Sequence, residues 1–273
     1  TLAVGDIKGM LRFYDIESGN ELRKLSFDKS PVYGLTYLPD GKTLAVHLSA
    51  GLRLIDSETA KPAPLKLFAN ALHRPSFAAS PDGKFAAVAE SGGMVYLWRD
   101  ASGAKPTFIK LPHGVRHLQF TPDGNKLLDG SWDGVIQVID AAKGELLKPI
   151  GREHTAMFTV SPDGKTVAAW HRSEKYEWDK HVTIWSVESG EEVGRVHVTP
   201  TAYNGMRFTP DGKGLWISSN AGIALFHVGT SQFRVAVQGC WPMAQSKTGR
   251  FVACKGDNSI YVWDVEAMMK QRP

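Results

Sequence analysis

The sequence predicts an all-β fold of seven antiparallel sheets, with four strands in each sheet except the first and last, which carry three. Three observations predict it. A Pro-Asp-Gly turn returns at a period near 41 residues, and an apolar–aromatic run ending in a polar residue keeps the same period. No stretch holds a 3.6-residue apolar period long enough for a core helix.

The turn stands at Pro39-Asp40-Gly41, Pro81-Asp82-Gly83, Pro122-Asp123-Gly124, Pro162-Asp163-Gly164 and Pro210-Asp211-Gly212, with a worn copy at Ser246-Lys247-Thr248-Gly249. Successive spacings are 42, 41, 40, 48 and 37. Proline presets φ, aspartate bonds its own backbone and glycine takes a positive φ, so each copy closes a hairpin between alternating apolar runs. Val115, Leu118 and Phe120 precede one copy; Leu127 and Leu128 follow it.

The second landmark has seven copies: Phe13-Tyr14-Asp15, Leu54-Ile55-Asp56, Leu97-Trp98-Arg99, Val138-Ile139-Asp140, Ile184-Trp185-Ser186, Leu225-Phe226-His227 and Val262-Trp263-Asp264. Small corners such as Ser18-Gly19, Lys143-Gly144 and Ser189-Gly190 follow most of them, and then a short strand. Each unit therefore reads as strand a, the Pro-Asp-Gly turn, strand b, strand c ending in the landmark, and strand d. A single four-stranded sheet cannot bury both faces, whereas seven packed radially can, and they leave only short edges.

Composition bounds the function. Hydrophobic residues make up 42%, enough for a core. No apolar run is long enough to span a membrane as a helix. Two cysteines build neither a disulfide scaffold nor a four-thiolate zinc site. A net charge of +4, with basic residues scattered, gives no footprint for nucleic acid. There is no phosphate-binding loop, nucleophile elbow or recurring carboxylate pair.

The units resemble WD repeats, and nearly the whole chain is similar to the WD-repeat β-propeller family, with a bacterial character in its regular Pro-Asp-Gly-Lys turns. Gly130-Ser131-Trp132-Asp133-Gly134 through Val138-Ile139-Asp140 is among the better copies, as is Lys255-Gly256-Asp257-Asn258 through Val262-Trp263-Asp264. The resemblance implies a seven-bladed β-propeller with blades at 1–26 (partial), 30–69, 72–111, 114–150, 154–198, 202–237 and 239–273 (partial). The chain also departs from the family. The Gly-His pair that the family often places before strand a is missing, and the Trp-Asp ending of strand c survives intact only at Trp263-Asp264. The family's polar network of His, turn Asp and strand Ser is therefore expected to fail in most blades, leaving apolar packing between blades to hold more of the fold.

The ends carry a further expectation. Thr1-Leu2-Ala3-Val4 repeats the letters of Thr43-Leu44-Ala45-Val46, which follow Pro39-Asp40-Gly41-Lys42. Thr1 thus stands where a turn would just have ended, and Val265 to Pro273 do not resemble a d strand. That count gives 26 strands where seven full blades need 28. The chain is expected to be a fragment of a longer protein whose upstream segment supplies the missing strands.

By resemblance, one face carries the d–a and b–c loops around a central channel, and the Pro-Asp-Gly turns lie on the other. Counting back from each turn, the first face receives Tyr33, Pro75, Arg116, Ala156, Asn204 and Trp241 at the start of strand a. Tyr, Arg and Trp are hot-spot types, so Tyr33, Arg116, Asn204 and Trp241 are candidate partner contacts; alternatively Tyr33 and Trp241 fill the narrow end of the barrel. The fifth blade carries a b–c insertion from His171 to His181 whose Tyr176 and Trp178 are further candidates, or fold back onto the blade. His73, His113 and His154 precede strand a in three successive blades. Their positions allow a metal cluster in principle, but no tight His spacing supports one, and the sequence assigns no metal and no cofactor. Cys240 and Cys254 flank the worn turn about one residue out of opposition and are expected to be reduced.

The leading expectation is a non-catalytic protein- or peptide-binding scaffold or regulatory module whose partners include a protein or peptide and other domains of the same chain, with no nucleic-acid partner and no membrane insertion. The alternative is the propeller domain of a larger enzyme or redox protein with a His-lined site. With no disulfide framework and no visible signal segment, the expected compartment is cytoplasmic.

Overall fold

The computed structural model describes residues 1–49, 51–63, 76–99, 105–131, 134–152, 154–172, 178–198, 203–219, 222–230, 233–238, 241–255 and 259–270. Among them the strands form seven antiparallel sheets, each built from strands consecutive in the chain. The first sheet takes β1 (Leu2–Gly5), β2 (Met10–Tyr14) and β3 (Glu21–Ser26). The second takes β4 (Val32–Tyr37), β5 (Thr43–Leu48) and β6 (Gly51–Asp56). The third takes β7 (Ser76–Ala79), β8 (Ala86–Ala89), β9 (Met94–Trp98) and β10 (Thr107–Lys110). In the fourth stand β11 (His117–Phe120), β12 (Lys126–Gly130), β13 (Gln137–Asp140) and β14 (Glu145–Leu146). The fifth comprises β15 (Thr155–Val160), β16 (Thr166–Arg172), β17 (Trp178–Ser186) and β18 (Glu192–His197). The sixth comprises β19 (Tyr203–Phe208), β20 (Gly214–Ser219), β21 (Gly222–His227) and β22 (Phe233–Gln238). The seventh has β23 (Trp241–Gln245), β24 (Phe251–Lys255) and β25 (Ile260–Asp264), followed by a helix, α1 (Val265–Lys270). The first, second and seventh sheets thus have three strands each among the described residues, where the sequence expectation gave the second sheet four; residues 64–75, which follow the second sheet, lie outside the described residues.

The chain divides into two compact units. One holds Thr1–Ser131 with Gln137–Lys148 and carries the first four sheets; the other holds Trp132–Ile136 with Pro149–Pro273 and carries the last three.

The Pro-Asp-Gly turns form as their chemistry requires. The glycine N–H donates to the carbonyl three residues before it in all six copies, including the worn one, at 2.8–3.0 Å. These glycines all sit at φ between 68° and 75°, the left-handed region that disfavours any side chain. In four copies the residue before proline is Ser or Thr, and its hydroxyl donates to the turn aspartate at 2.5–2.7 Å (Ser80–Asp82, Thr121–Asp123, Ser161–Asp163, Thr209–Asp211). Those hydroxyl bonds hold the four carboxyls below the usual range, Asp82 at about 2.

Burial follows the two-residue period of the strands, and both faces of the inner sheets are used. In β8, Ala87 and Ala89 pack with Leu118, Phe120 and Leu127 of the fourth sheet. Ala86 and Val88 pack the other way, with Leu52 and Leu54 of the second. In β5, Leu44, Val46 and Leu48 join Leu11 and Phe13 of the first sheet, while Ala45 points to the third. The second unit repeats the arrangement: Leu215 and Ile217 of β20 meet Trp170 and Val182 of the fifth sheet, and Trp216 meets Val252 and Cys254 of the seventh. Each core cluster is thus shared by two consecutive sheets, which explains why a single repeat cannot stand alone.

Landmark residues Trp98, Trp185 and Trp263 each bury an indole N–H with no hydrogen-bond partner among the described residues. The apolar bodies of Trp98 and Trp263 pack in the inter-sheet clusters, so dispersion and area burial hold these positions.

Candidate functional site

The start of strand a is where the sheets depart from regular pairing. In the second sheet the register jumps between Val32 and Gly34, in the fifth between Thr155 and Met157, and in the sixth between Tyr203 and Gly205. The extra residues are Tyr33, Ala156 and Asn204, three of the positions found by counting back from the turns. A bulge of this kind sets one residue outside the ladder's register. Tyr33 is 50% exposed, unusual for a large ring on an inner sheet.

Two positions differ from the count. In the seventh sheet Trp241 pairs with Lys255, and the jump falls between Trp241 and Met243, so the extra residue is Pro242. Proline has no N–H for the ladder, and the bulge forms where that donor is missing. In the fourth sheet Arg116 lies just before β11; it is exposed and its backbone N–H donates to the Gly130 carbonyl at 3.1 Å. Pro75 lies outside the described residues.

Glycines bring the d–a connectors against the b–c turns. A β-carbon on Gly93 would stand 2.5 Å from the His113 carbonyl, and one on Gly114 2.3 Å from that of Ser91. Only bare backbone fits at both places. This clasp fixes His113, which is half-buried, at the connector between the third and fourth sheets. His154 precedes β15 in the other unit, with φ at 62°. His73 lies outside the described residues. Among those residues no group of three or more His, Cys, Asp or Glu is arranged to hold a metal ion.

The insertion in the fifth blade differs from the loop the sequence led us to expect. Strand β16 runs on through His171 and Arg172, β17 starts at Trp178, and Arg172 pairs with Trp178 after a register jump. Most of the insertion is an extension of the b–c hairpin, favoured because the flanking ladder already holds its backbone groups. Tyr176 falls outside the described residues; Trp178 opens β17.

Within this sheet three histidines converge on the b–c and d–a end of the strands. His171 is 1% exposed; its Nδ1 stands 3.1 Å from Thr155 Oγ1, and its ring meets Trp185 edge-on at 6.1 Å. Thr155 Oγ1 donates to the Arg152 carbonyl at 2.8 Å, so its remaining role toward His171 is as acceptor, and the Nδ1 proton is on the imidazole. His181 and His197 are directly opposed across β17 and β18, with His181 Nε2 and His197 Nδ1 3.3 Å apart. The sequence reading named His171 and His181 but missed His197.

At the other end of the strands, a groove of about 360 Å³ opens beside the turns of the sixth and seventh sheets, bordered by Pro210, Asp211, Lys213, His227 and Thr248. None of the candidate residues borders it.

The fold is that of a β-propeller, and its repeats identify the kind. The model of the family "WD domain, G-beta repeat" matches residues 105–140. The Serine-threonine kinase receptor-associated protein of Gallus gallus is 28% identical over 149 residues, covering 54% of this chain and 40% of that protein. Subunit I of Eukaryotic translation initiation factor 3 from Emericella nidulans is 26% identical over 143 residues, covering 48% and 43%. The chain thus spans about two-fifths of the length of the curated relatives it matches. Among solved structures, Kuenenia stuttgartiensis Hydrazine Synthase superposes with a TM-score of 0.78 at 20% identity, over 94% of this chain and 90% of that one, a likeness of fold. These likenesses support the WD-repeat β-propeller family that the landmarks resemble.

Among the described residues no helix is long and apolar enough to cross a membrane.

Proposed function

We propose that this propeller is a non-catalytic interaction module that holds a protein or peptide partner on its d–a and b–c loop face. The observation that carries the reading is the recurrent bulge at the start of strand a. The repeat keeps an irregularity there while varying its residue: Tyr33, Ala156 and Asn204. A ladder that sets one variable residue outside its register suits recognition more than packing. Tyr33, Arg116, Asn204 and Trp241 form the proposed contact set, and Tyr176 and Trp178 of the fifth-blade insertion are further proposed contacts. The names of the two relatives support the same class, one being receptor-associated and the other a subunit of a larger factor.

The test replaces Tyr33, Arg116 and Trp241 together by alanine and compares the proteins co-purified with wild type and variant. Loss of specific partners, with an unchanged circular-dichroism melt, is the expected result. An unchanged partner set on a folded variant defeats the assignment of these residues. Deleting residues 173–180 probes the hairpin separately.

A further inference from the structure

We propose that His181 and His197 form a two-histidine site for a divalent transition metal, with zinc the best geometric match. The site is independent of the interaction reading. It rests on a cross-strand pair: the two residues are direct register partners on β17 and β18. The next pair along the same two strands, Val182 and Val196, is 0% exposed on both sides. The backbone beneath the imidazoles is therefore anchored in the core, and the rings extend from rigid strands.

The nitrogens are placed for chelation. His181 Nε2 and His197 Nδ1 lie 3.3 Å apart, with ring centroids separated by 5.0 Å and planes inclined at 64°. A tetrahedral zinc with Zn–N bonds of about 2.0–2.1 Å separates two of its ligand nitrogens by about 3.3–3.4 Å. The pair already has that span. Copper(II), whose adjacent ligands meet near a right angle, would need the nitrogens to close to about 2.9 Å.

The register that makes the pair is itself irregular. Trp185 opposes Glu192, but Ile184 opposes Gly194, so Val193 is an extra residue in β18, 59% exposed. Without that bulge His181 would oppose Val196, and His197 would lie on the other face of the sheet.

Without metal, one ring N–H donates to the lone pair of the other ring. On binding, the donor ring gives up that N–H proton and takes one up on its other nitrogen, so both rings stay neutral while two nitrogen–metal bonds form and no net proton leaves the pair. Among the described residues no third ligand joins them, so the affinity is that of a two-ligand site. His171 does not join: it is buried and its Nδ1 is turned to Thr155.

The test is calorimetric titration of the whole chain with zinc chloride. The expected result is one equivalent of zinc bound per chain. His181→Gln and His197→Gln should each weaken binding at least about tenfold, the scale on which zinc sites respond even to outer-shell changes. His113→Gln should bind as wild type does. Melting curves of all three variants without zinc check that the fold is retained. Absence of zinc binding, or equal binding in wild type and both hairpin variants, overturns the proposal.

Discussion

Asp129 of β12 is the register partner of Gln137 of β13, and neither of its carboxylate oxygens has a hydrogen-bond partner among the described residues. The residue is 1% exposed, and desolvation pushes its carboxyl up to about 8. Strand b of the fourth sheet thus carries a neutral acid in its core at neutral pH.

This carboxyl makes stability depend on pH. In the unfolded chain Asp129 ionises near 3.8, and in the folded chain near 8. Between those values the folded state holds a proton that the unfolded state has lost, so stability is fullest below the lower value and falls as pH rises through the higher one. The limiting slope is about 1.4 kcal/mol per pH unit. Asp129→Asn should remove this slope. Urea unfolding from pH 5 to 8 should show wild type weakening relative to the variant; parallel curves would show that Asp129 ionises in both states alike.

The acid limb has the opposite sign and other residues. Asp82 sits at about 2, first because Ser80 Oγ donates to it and next because Lys84 does. Its contribution is present above the ordinary carboxylate range and is lost as pH falls through about 2. Ser80→Ala should return the carboxyl toward its ordinary value in an NMR titration. It also removes the acceptor of the Phe85 N–H at 2.9 Å, so a loss of about 1–2 kcal/mol at pH 7 is expected.

A third outcome concerns the corner after strand c. Gly19, Gly144 and Gly190 close three of these corners at φ of 72–75°, each donating its N–H to the landmark's polar residue. In the second sheet the same place is held by Ala60, at φ 57°, bonded to Asp56 at 2.8 Å. An alanine there carries about 1–2 kcal/mol of left-handed strain, partly offset by its smaller freedom in the unfolded chain. Ala60→Gly should therefore raise the melting temperature, and Gly19→Ala, which meets no atom within 4 Å, should lower it through backbone strain alone. A fall in both would contradict this account.

The sequence was most informative where one residue type performs one local task. Turn glycines, landmark aromatics and the alternation in β8 were readable because each reflects a φ requirement or a two-residue period within a short window. Counting from the turns even reached the bulged positions Tyr33 and Asn204. Register shifts were harder to read. Pro242 displaced the bulge from Trp241, and Val193 brought His197 opposite His181, yet neither shift has a composition signature. Counting outward from the Ser189-Gly190 corner without the bulge would place Val196 opposite His181, which is why the histidine pair went unseen. The extension of β16 and β17 was also hidden, because His171 to His181 mixes charge and aromatics with no alternation.

The contact between consecutive turns separates backbone strain from packing. Gly249 has φ 75°, and a β-carbon there would stand 2.6 Å from both Cγ and Cδ of Pro210, on the preceding turn. Gly41 has nearly the same φ, 68°, but nothing lies within 4 Å of its added carbon. Gly41→Ala should thus cost only the left-handed term, about 1–2 kcal/mol. Gly249→Ala should cost that and a further 1–3 kcal/mol, roughly the penalty of overpacking, because the rigid pyrrolidine ring cannot turn aside. The difference between the two variants in chemical denaturation measures how tightly the sixth and seventh sheets are seated. Pro210→Ala in the Gly249→Ala background should recover part of the loss. Equal losses in the two single variants would mean that the turns yield freely and that the apolar cluster around Trp216 and Val252 alone joins these sheets.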